Sequence, residues 1–189
     1  MKLPPIPFHF VRHGETDWNR QGKIQGWRDI PLNARGEAQA EGLRPEMAGY
    51  GFATIAVSPL ARARRTAEIL NADLKLETHV LDDLKEFDVG PLEGTRAETW
   101  IWDWLDGQTP PGVESFADFT VRVRRGLIHA LALPGPVLVV AHGGLIWALE
   151  HLLGLPTGTD IANTTLVRFA PVGDRWQFDI LTGDIEGAA

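Results

Sequence analysis

Short apolar segments alternate with segments of helical character along most of this 189-residue chain. The apolar runs predict strands over 6–11, 54–57, 78–81, 137–141, 164–169 and 176–181. Between them, apolar spacing and the capping residues Asn33 and Ser115 predict helices over 34–49, 60–70, 116–133 and 143–153, and Pro45 is placed to end the first one early. This alternation predicts a layered α/β domain with a largely parallel sheet, in which ligands bind beyond the carboxyl ends of strands.

The composition excludes several classes of protein. A length of 189 residues suits one domain spanning 1–189, and the absence of cysteine rules out disulfides, cysteine-ligated metals and a cysteine nucleophile. The net charge of −7 argues against general nucleic-acid binding, and no apolar run approaches the ~20 residues that cross a bilayer. Segment 1–7 is too short and proline-rich for a signal peptide, and the tail 183–189 is expected to fray. We therefore expect a cytoplasmic protein that binds neither nucleic acid nor membrane.

The first predicted strand ends in Arg12, His13 and Gly14. Arginine presents a planar fork of donors that matches phosphate oxygens, and a neutral histidine is a nucleophile at physiological pH. Glycine lets the backbone turn sharply next to a ligand. Together these residue types predict a site that takes a phosphoryl group onto His13.

Three further segments supply partners for such a site. His142 follows the strand at 137–141 and precedes Gly143 and Gly144, so the helix after it can present backbone N–H groups to an anion. Arg62 lies near the start of the helix that follows the strand at 54–57. The loop over 84–94 carries several carboxylates, among them Glu86, and a partly desolvated carboxylate there would suit proton transfer.

These motifs, in this order, resemble the histidine phosphatase superfamily, in the branch of cofactor-dependent phosphoglycerate mutases and related phosphatases. The resemblance covers 8–40, 57–70, 84–94 and 137–149. It implies a three-layer α/β/α sandwich with a six-stranded, mostly parallel mixed sheet. It also implies that His13 becomes phosphorylated, that Arg12, Arg62 and His142 hold the phosphoryl oxygens, and that Glu86 protonates the leaving oxygen.

The mechanism that the resemblance implies places demands on both histidines. His13 must be unprotonated on the attacking nitrogen, so its other ring nitrogen is expected to donate to a backbone carbonyl. His142 is expected to be protonated and to share positive charge with the arginines over the oxygens of a loose transition state. No metal and no cofactor are expected, because the arginines take the place of magnesium.

Other residues are expected to contact substrate. Thr16 and Asn19, in a predicted helical turn at 16–19, lie close to the nucleophile in sequence, and the family places Asn19 on the phosphoryl group. Gly143, Trp102 and Trp147 are the remaining candidates for the substrate pocket. A different set is expected to be structural: His9 on its strand, and Arg122, Arg124 and Arg125 on a solvated helix face. Trp100 and Trp104, like Trp102, have the character of core residues, but their segment covers the active site in this family, so a pocket role stays open for all three.

Phosphomonoester hydrolysis is favoured over mutase activity for two reasons. The mutases commonly carry Gly-Asn-Ser after the second histidine, where this chain has Gly143-Gly144-Leu145, and its segment between 94 and 137 is compact. The tryptophan-rich stretch predicts a substrate with apolar or ring surface, which leaves α-ribazole phosphate, another nucleotide-like phosphate and a sugar phosphate open. A phosphoglycerate mutase, a non-catalytic phospholigand-binding domain and a homodimer also stay open.

Overall fold

The computed structural model describes residues 2–96 and 100–183, and within these ranges six strands form one sheet. The strands are β1 (Phe8–Arg12), β2 (Thr54–Val57), β3 (Glu77–Val80), β4 (Val137–Ala141), β5 (Leu166–Val172) and β6 (Arg175–Thr182). The helices are α1 (Asp17–Arg20), α2 (Ala34–Leu43), α3 (Ala61–Leu70), α4 (Trp100–Leu105), α5 (Phe116–Leu131) and α6 (Gly144–Leu153). The expected fraying of the tail falls on residues that, apart from Gly183, lie outside the described ranges.

The sheet has the order β3-β2-β4-β1-β5-β6. Strands β3, β2, β4 and β1 run parallel, with Phe10 opposite Val139 and Ile55 opposite Leu138. Strand β5 is antiparallel to both of its neighbours, β1 and β6. The two central strands β1 and β4 are almost wholly buried, as expected for a sheet covered on both faces. Four parallel strands therefore end at one edge, which is where the histidine motifs lie.

Helices cover the two faces of the sheet, which gives the predicted three layers. On one face, α5 and α6 pack on β1 and β4 through a cluster that contains Phe8, Phe119 and Leu145. On the other face, α2 and α3 form a second cluster around Met47 and Ile55. In the part of the chain that the structure describes, no helix is long and apolar enough to cross a membrane.

The helix boundaries follow the capping residues. Asn33 accepts from the amide of Gly36, and Ser115 accepts from the amide of Asp118, so both predicted caps are confirmed. Helix α2 ends at Leu43, and a 3₁₀ segment over Arg44–Tyr50 replaces the last turns of the predicted helix because Pro45 has no N–H to donate. The short helix α4 was not predicted.

Candidate active site

The ends of three adjacent parallel strands bring His13, Ser58 and His142 together. The ladder continues one residue past each strand: the His13 amide donates to Ala141 O at 2.9 Å, and the Ser58 amide donates to Val140 O at 3.1 Å. As a result the rings of His13 and His142 lie with their centroids 5.2 Å apart. Two residues separated by 129 positions of sequence thus share one buried site.

His13 is held as a neutral imidazole. Its Nδ1 lies 2.7 Å from the carbonyl oxygen of Gly14, which can only accept, so Nδ1 carries the proton and Nε2 keeps its lone pair. This confirms the expected contact to a backbone carbonyl. Burial lowers the pKa of His13 well below 6.5, and the nearby charges of Arg62 and Arg12 lower it further. The Asn163 side chain donates to the His13 carbonyl at 2.8 Å and fixes the backbone behind the ring.

Arg62 is a buried cation with part of its donor set uncommitted. Its Nη1 and Nη2 donate to the carbonyls of Arg28 and Gly26, both at 2.9 Å. Its Nε has no hydrogen-bond partner among the described residues, and only 1% of the residue is exposed. Burial lowers the pKa of Arg62 to about 10, which leaves the guanidinium charged at neutral pH.

Arg12 is oriented by the loop at 160–164, which the sequence did not predict to lie near the site. Its Nη1 donates to the Asp160 carboxylate at 3.2 Å and to the carbonyl of Ile161. The amide of Thr164 donates to the Arg12 carbonyl at 2.9 Å. The segment from 160 to 164 therefore wraps the backbone and the side chain of Arg12 and, through Asn163, the backbone of His13.

His142 is neutral in this site, so the expectation of a protonated His142 is wrong for the free protein. Burial, followed by the positive charge of Arg62, lowers its pKa well below 6.5. Its Nε2 lies 2.7 Å from Ser58 Oγ, and its Nδ1 is buried without a hydrogen-bond partner among the described residues. A neutral ring can still donate one hydrogen bond to a phosphoryl oxygen.

Glu86 has the environment of a proton donor. Burial raises the pKa of its carboxyl group above 4.5, although Arg62 and two backbone amides oppose the shift. Those amides belong to Phe87 and Gly144, each 3.2 Å from a carboxylate oxygen. The site therefore pairs a carboxyl group that tends to keep its proton with an imidazole that tends to lose its own, which is the division that acid–base catalysis requires.

A cavity of about 150 Å³, smaller than the pockets that enclose drug-sized ligands, is lined by Arg12, His13, Arg62 and Glu86. His142 is not among its lining residues, although the next residue, Gly143, is. Of the predicted substrate contacts, Asn19, Gly143 and Trp147 line the cavity. Gly144, from the predicted glycine pair after His142, also lines it, as do residues that the sequence did not single out: Lys23, Ile24, Gln25, Gly26, Phe87, Ile101 and Asp160. Because Lys23–Gly26 follow Asn19 closely in the chain, their place in the pocket could have been predicted from the sequence. Nothing in the sequence pointed to Asp160.

Two predicted substrate contacts lie elsewhere. Thr16 caps α1 by accepting from the Asn19 amide at 3.1 Å, and its hydroxyl lies 3.0 Å from Gln25, so it supports the pocket wall from behind. Trp102 is 59% exposed and does not line the cavity, because α4 turns Trp104 into the core and leaves Ile101 toward the pocket. Trp104 itself stacks on Phe87 with 4.4 Å between ring centroids, as a core residue should.

One arginine on α5 departs from the predicted solvated face. Arg125 is exposed as expected, but only 13% of the Arg122 side chain is exposed. Arg122 donates to the carbonyls of Lys85 and Glu86 in the loop that carries the candidate acid. His9 lies away from the site, against the rings of Tyr50 and Phe52, as predicted for a structural histidine.

Comparison with known proteins points to one family. The family model described as the histidine phosphatase superfamily (branch 1) matches residues 8–182. The uncharacterized phosphatase PhoE of Bacillus subtilis (strain 168) is 45% identical over 173 residues, which cover 88% of this chain and 89% of that protein. A probable phosphoglycerate mutase GpmB of Citrobacter koseri is 36% identical over 165 residues, covering 80% and 76%.

The same fold occurs in a mycobacterial glucosyl-3-phosphoglycerate phosphatase solved as a complex with VO3. That chain superimposes with a TM-score of 0.82 at 28% identity, over 94% of this chain and 99% of its own length. The sandwich with a six-stranded mixed sheet is therefore common to both proteins.

Proposed function

The chain belongs to the histidine phosphatase superfamily (branch 1), and on that premise we propose that it is a metal-independent phosphomonoesterase that works through a phosphohistidine on His13. The observation that carries the proposal is the hydrogen bond from His13 Nδ1 to Gly14 O, because it leaves the lone pair of Nε2 available in a buried, cationic site. The proposed roles of the other residues follow from their contacts with that site.

In the first step, His13 Nε2 attacks phosphorus and the P–O bond to the leaving group breaks. The guanidinium groups of Arg12 and Arg62 stabilise the charge on the transferring oxygens, a role that Mg²⁺ has in many other phosphoryl-transfer enzymes. Glu86 gives its proton to the departing oxygen, a contribution of ~10²–10⁴-fold in general. Neutral His142 donates one hydrogen bond to a phosphoryl oxygen.

In the second step, the Glu86 carboxylate takes a proton from water as that water attacks the phosphohistidine. The P–N bond breaks, inorganic phosphate leaves, and His13 recovers its lone pair while Glu86 is protonated again. The raised pKa of Glu86 supports both halves of this cycle, since the group must return to its acid form at the end of each turnover.

Hydrolysis is the preferred outcome, and phosphoglycerate mutase activity is the second candidate. The relative named a phosphatase is 45% identical, whereas the one named a probable mutase is 36% identical. A mutase must shield its phosphohistidine from water, and it must return the phosphoryl group to a second position on the sugar acid. Isomerisation of 3-phosphoglycerate in the presence of 2,3-bisphosphoglycerate, at a rate above hydrolysis, would establish the mutase alternative.

The proposed substrate is a small phosphomonoester with apolar or ring surface next to the phosphate. Support comes from the cavity of about 150 Å³ and from Ile24, Phe87, Ile101 and Trp147 in its wall. α-Ribazole phosphate, other nucleotide-like phosphates and sugar phosphates are the classes to compare. In a panel of steady-state assays, the highest kcat/KM should go to ring-bearing esters; a clear preference for compact phosphorylated acids would contradict this assignment.

The test of the mechanism uses p-nitrophenyl phosphate with and without EDTA. We expect hydrolysis to be insensitive to chelator, to leave an acid-labile phosphohistidine in quenched samples, and to vanish in His13→Ala. His9→Asn is the matched control, because it removes a buried histidine from the same strand outside the site. Activity that disappears with EDTA, or that survives in His13→Ala, would overturn the mechanism.

A further inference from the structure

Arg122 reaches from α5 to the backbone of the loop that carries Glu86. Its Nη1 donates to the carbonyls of Asp83 at 3.2 Å and Lys85 at 2.9 Å, and its Nη2 donates to the carbonyl of Glu86 at 3.1 Å. A single guanidinium thus binds three carbonyls within four residues. Lysine cannot reproduce this pattern, because its ammonium lacks the planar fork of donors.

Glu114 completes the arrangement from the other side of the loop. Its carboxylate accepts from Arg122 Nε at 2.8 Å and from Nη2 at 2.6 Å. The same carboxylate accepts from the amide of Asp88 at 3.0 Å, and the Glu114 amide donates to the Asp88 carbonyl at 2.8 Å. The Arg122–Glu114 pair therefore holds the backbone on both sides of Glu86.

The backbone of Glu86 has a second support in Trp27. The indole Nε1 donates to the Glu86 carbonyl at 2.7 Å, so this oxygen accepts from both Trp27 and Arg122. The Arg122 guanidinium also lies 5.8 Å from the Trp27 ring centroid, which ties the two supports together. Two donors on one carbonyl fix the peptide plane from which the Glu86 side chain starts.

The position of the Glu86 carboxyl group leaves little tolerance. A Cβ atom at Gly144 would overlap Glu86 Oε1 and lie 2.8 Å from the Phe87 ring, so the carboxyl group is wedged against the start of α6. A displacement of about 1 Å in such a site can cost on the order of 10²-fold in rate. A rigid backbone behind Glu86 is therefore a requirement of proton transfer and not only of folding.

We infer that Arg122, paired with Glu114, is a positioning residue that determines where Glu86 delivers its proton to the leaving group. This rests on the proposed function, in which Glu86 is the general acid. The charges that lower the pKa of Glu86 most strongly belong to Arg62 and Arg12, so Arg122 acts through the geometry of the loop.

The experiment compares two esters that differ in their need for an acid. p-Nitrophenyl phosphate has a stable leaving group and needs little protonation, whereas phenyl phosphate has a poor leaving group and needs it strongly. For Glu86→Gln and Arg122→Met, kcat/KM with phenyl phosphate should fall at least about 10²-fold more than kcat/KM with p-nitrophenyl phosphate. This rate constant covers only the steps up to departure of the leaving group, so the later hydrolysis of the phosphohistidine, which is the same for both esters, does not enter it. In the double variant, the fall with phenyl phosphate should not exceed that of Glu86→Gln alone, because both changes remove the same contribution, which is proton transfer from Glu86.

Arg125→Met is the matched control. Arg125 lies on the same helix and contacts the same loop through the Asp83 side chain at 2.6 Å, but it is not within hydrogen-bond reach of the Glu86 backbone among the contacts described. The Arg125→Met variant should leave the ratio of the two rates unchanged. The same ratio of rates is measured for Arg122→Lys and Glu114→Gln. These variants test the inference if Arg122→Met does not fold.

The outcomes separate the inference from the proposed function. If Glu86→Gln reduces both rates equally, the acid role of Glu86 fails. If Glu86→Gln selects against phenyl phosphate but every folded Arg122 or Glu114 variant reduces both rates equally, the positioning role fails while the proposed function stands. An additive loss in the double variant would likewise overturn the positioning role.

Discussion

At the scale of single residues, the site drives two kinds of titratable group in opposite directions. Burial is the largest cause for His13 and Glu86 alike, because a low-dielectric surrounding disfavours whichever form is charged. The imidazole therefore sheds its proton, whereas the carboxyl group keeps its own. Burial thus moves the pKa values of His13 and Glu86 toward each other, whereas the adjacent arginines lower both of them.

The pH dependence of kcat/KM follows from these directions. The proposed mechanism requires a neutral His13, so the acid limb lies below pH 6.5. It also requires a protonated Glu86, so the alkaline limb lies above pH 4.5. With phenyl phosphate, we expect kcat/KM to fall on the alkaline side of a profile measured over about pH 4 to 9. In Glu86→Gln the alkaline limb should disappear, and an unchanged limb in that variant would assign it to another group. The phosphate group of the substrate titrates in the same way with wild type and with Glu86→Gln, so its effect cancels when the two profiles are compared.

Gly144 is a second residue whose effect is predicted from its contacts. Alanine there would place Cβ into Glu86 Oε1 and 2.8 Å from Phe87, both of which are part of a packed wall. We expect Gly144→Ala to lower kcat/KM for phenyl phosphate by about 10²-fold, with a smaller loss for p-nitrophenyl phosphate. Crystallographic displacement of the Glu86 carboxyl group should accompany the loss; full activity would mean that the carboxyl group has room to move.

At the scale of elements, the first turn of α2 packs tightly against the loop that follows His13. Gly14 and Gly36 meet backbone to backbone: a Cβ atom on Gly36 would overlap the Glu15 carbonyl oxygen and lie 2.6 Å from the Glu15 amide. The Gly14 amide donates to Thr66 Oγ1 at 3.0 Å, which adds α3 to the same junction. The conformation of the loop at 12–14 therefore depends on how closely two helices approach it.

Substitutions at two glycines of the same helix test this dependence. Gly36→Ala should lower the free energy of unfolding by about 2–3 kcal/mol, since backbone atoms cannot move aside as a flexible side chain can. Gly42→Ala, in open space near the end of α2, should raise it by about 0.5 kcal/mol through its higher helix propensity. Urea denaturation measures the free energy of unfolding of both variants. Equal changes in the two would show that the close approach of α2 to the backbone of Glu15 does not affect stability.

The sequence predicted those elements whose signals are local. Asn33 and Ser115 marked helix starts, and the apolar run at 137–141 marked the central strand that delivers His142. Contacts across the sequence were not predictable. Asp160 meets Arg12 across 148 residues, and Arg122 has the same local pattern as an exposed arginine until the loop at 83–88 folds over it. Helix α4 was missed because six residues are too few to establish a helical period.

At the scale of the whole molecule, the buried active site makes stability depend on pH. The pKa of His13 is depressed in the folded state, so the unfolded chain binds more protons as pH falls below 6.5. Folding stability that is fully present above 6.5 is therefore lost below it, and His142 acts in the same direction. Glu86 and Glu150 act oppositely: their pKa values are raised in the folded state, so their contributions are present below 4.5 and are lost as pH rises through the raised values.

The variant His13→Asn separates the contribution of His13 to the pH dependence of stability from the opposing contributions of Glu86 and Glu150. Between about pH 7.5 and 5.5, a histidine that stays neutral when folded costs about 1 kcal/mol of unfolding free energy, because only the unfolded chain takes up its proton. Wild type should therefore lose about 1 kcal/mol more stability over this range than His13→Asn, with the carboxyl contributions common to both. Urea unfolding at the two pH values gives the difference directly. Equal losses would mean that His13 titrates in the folded protein as it does in the unfolded chain, which would contradict the lowered pKa on which the proposed role of Nε2 depends.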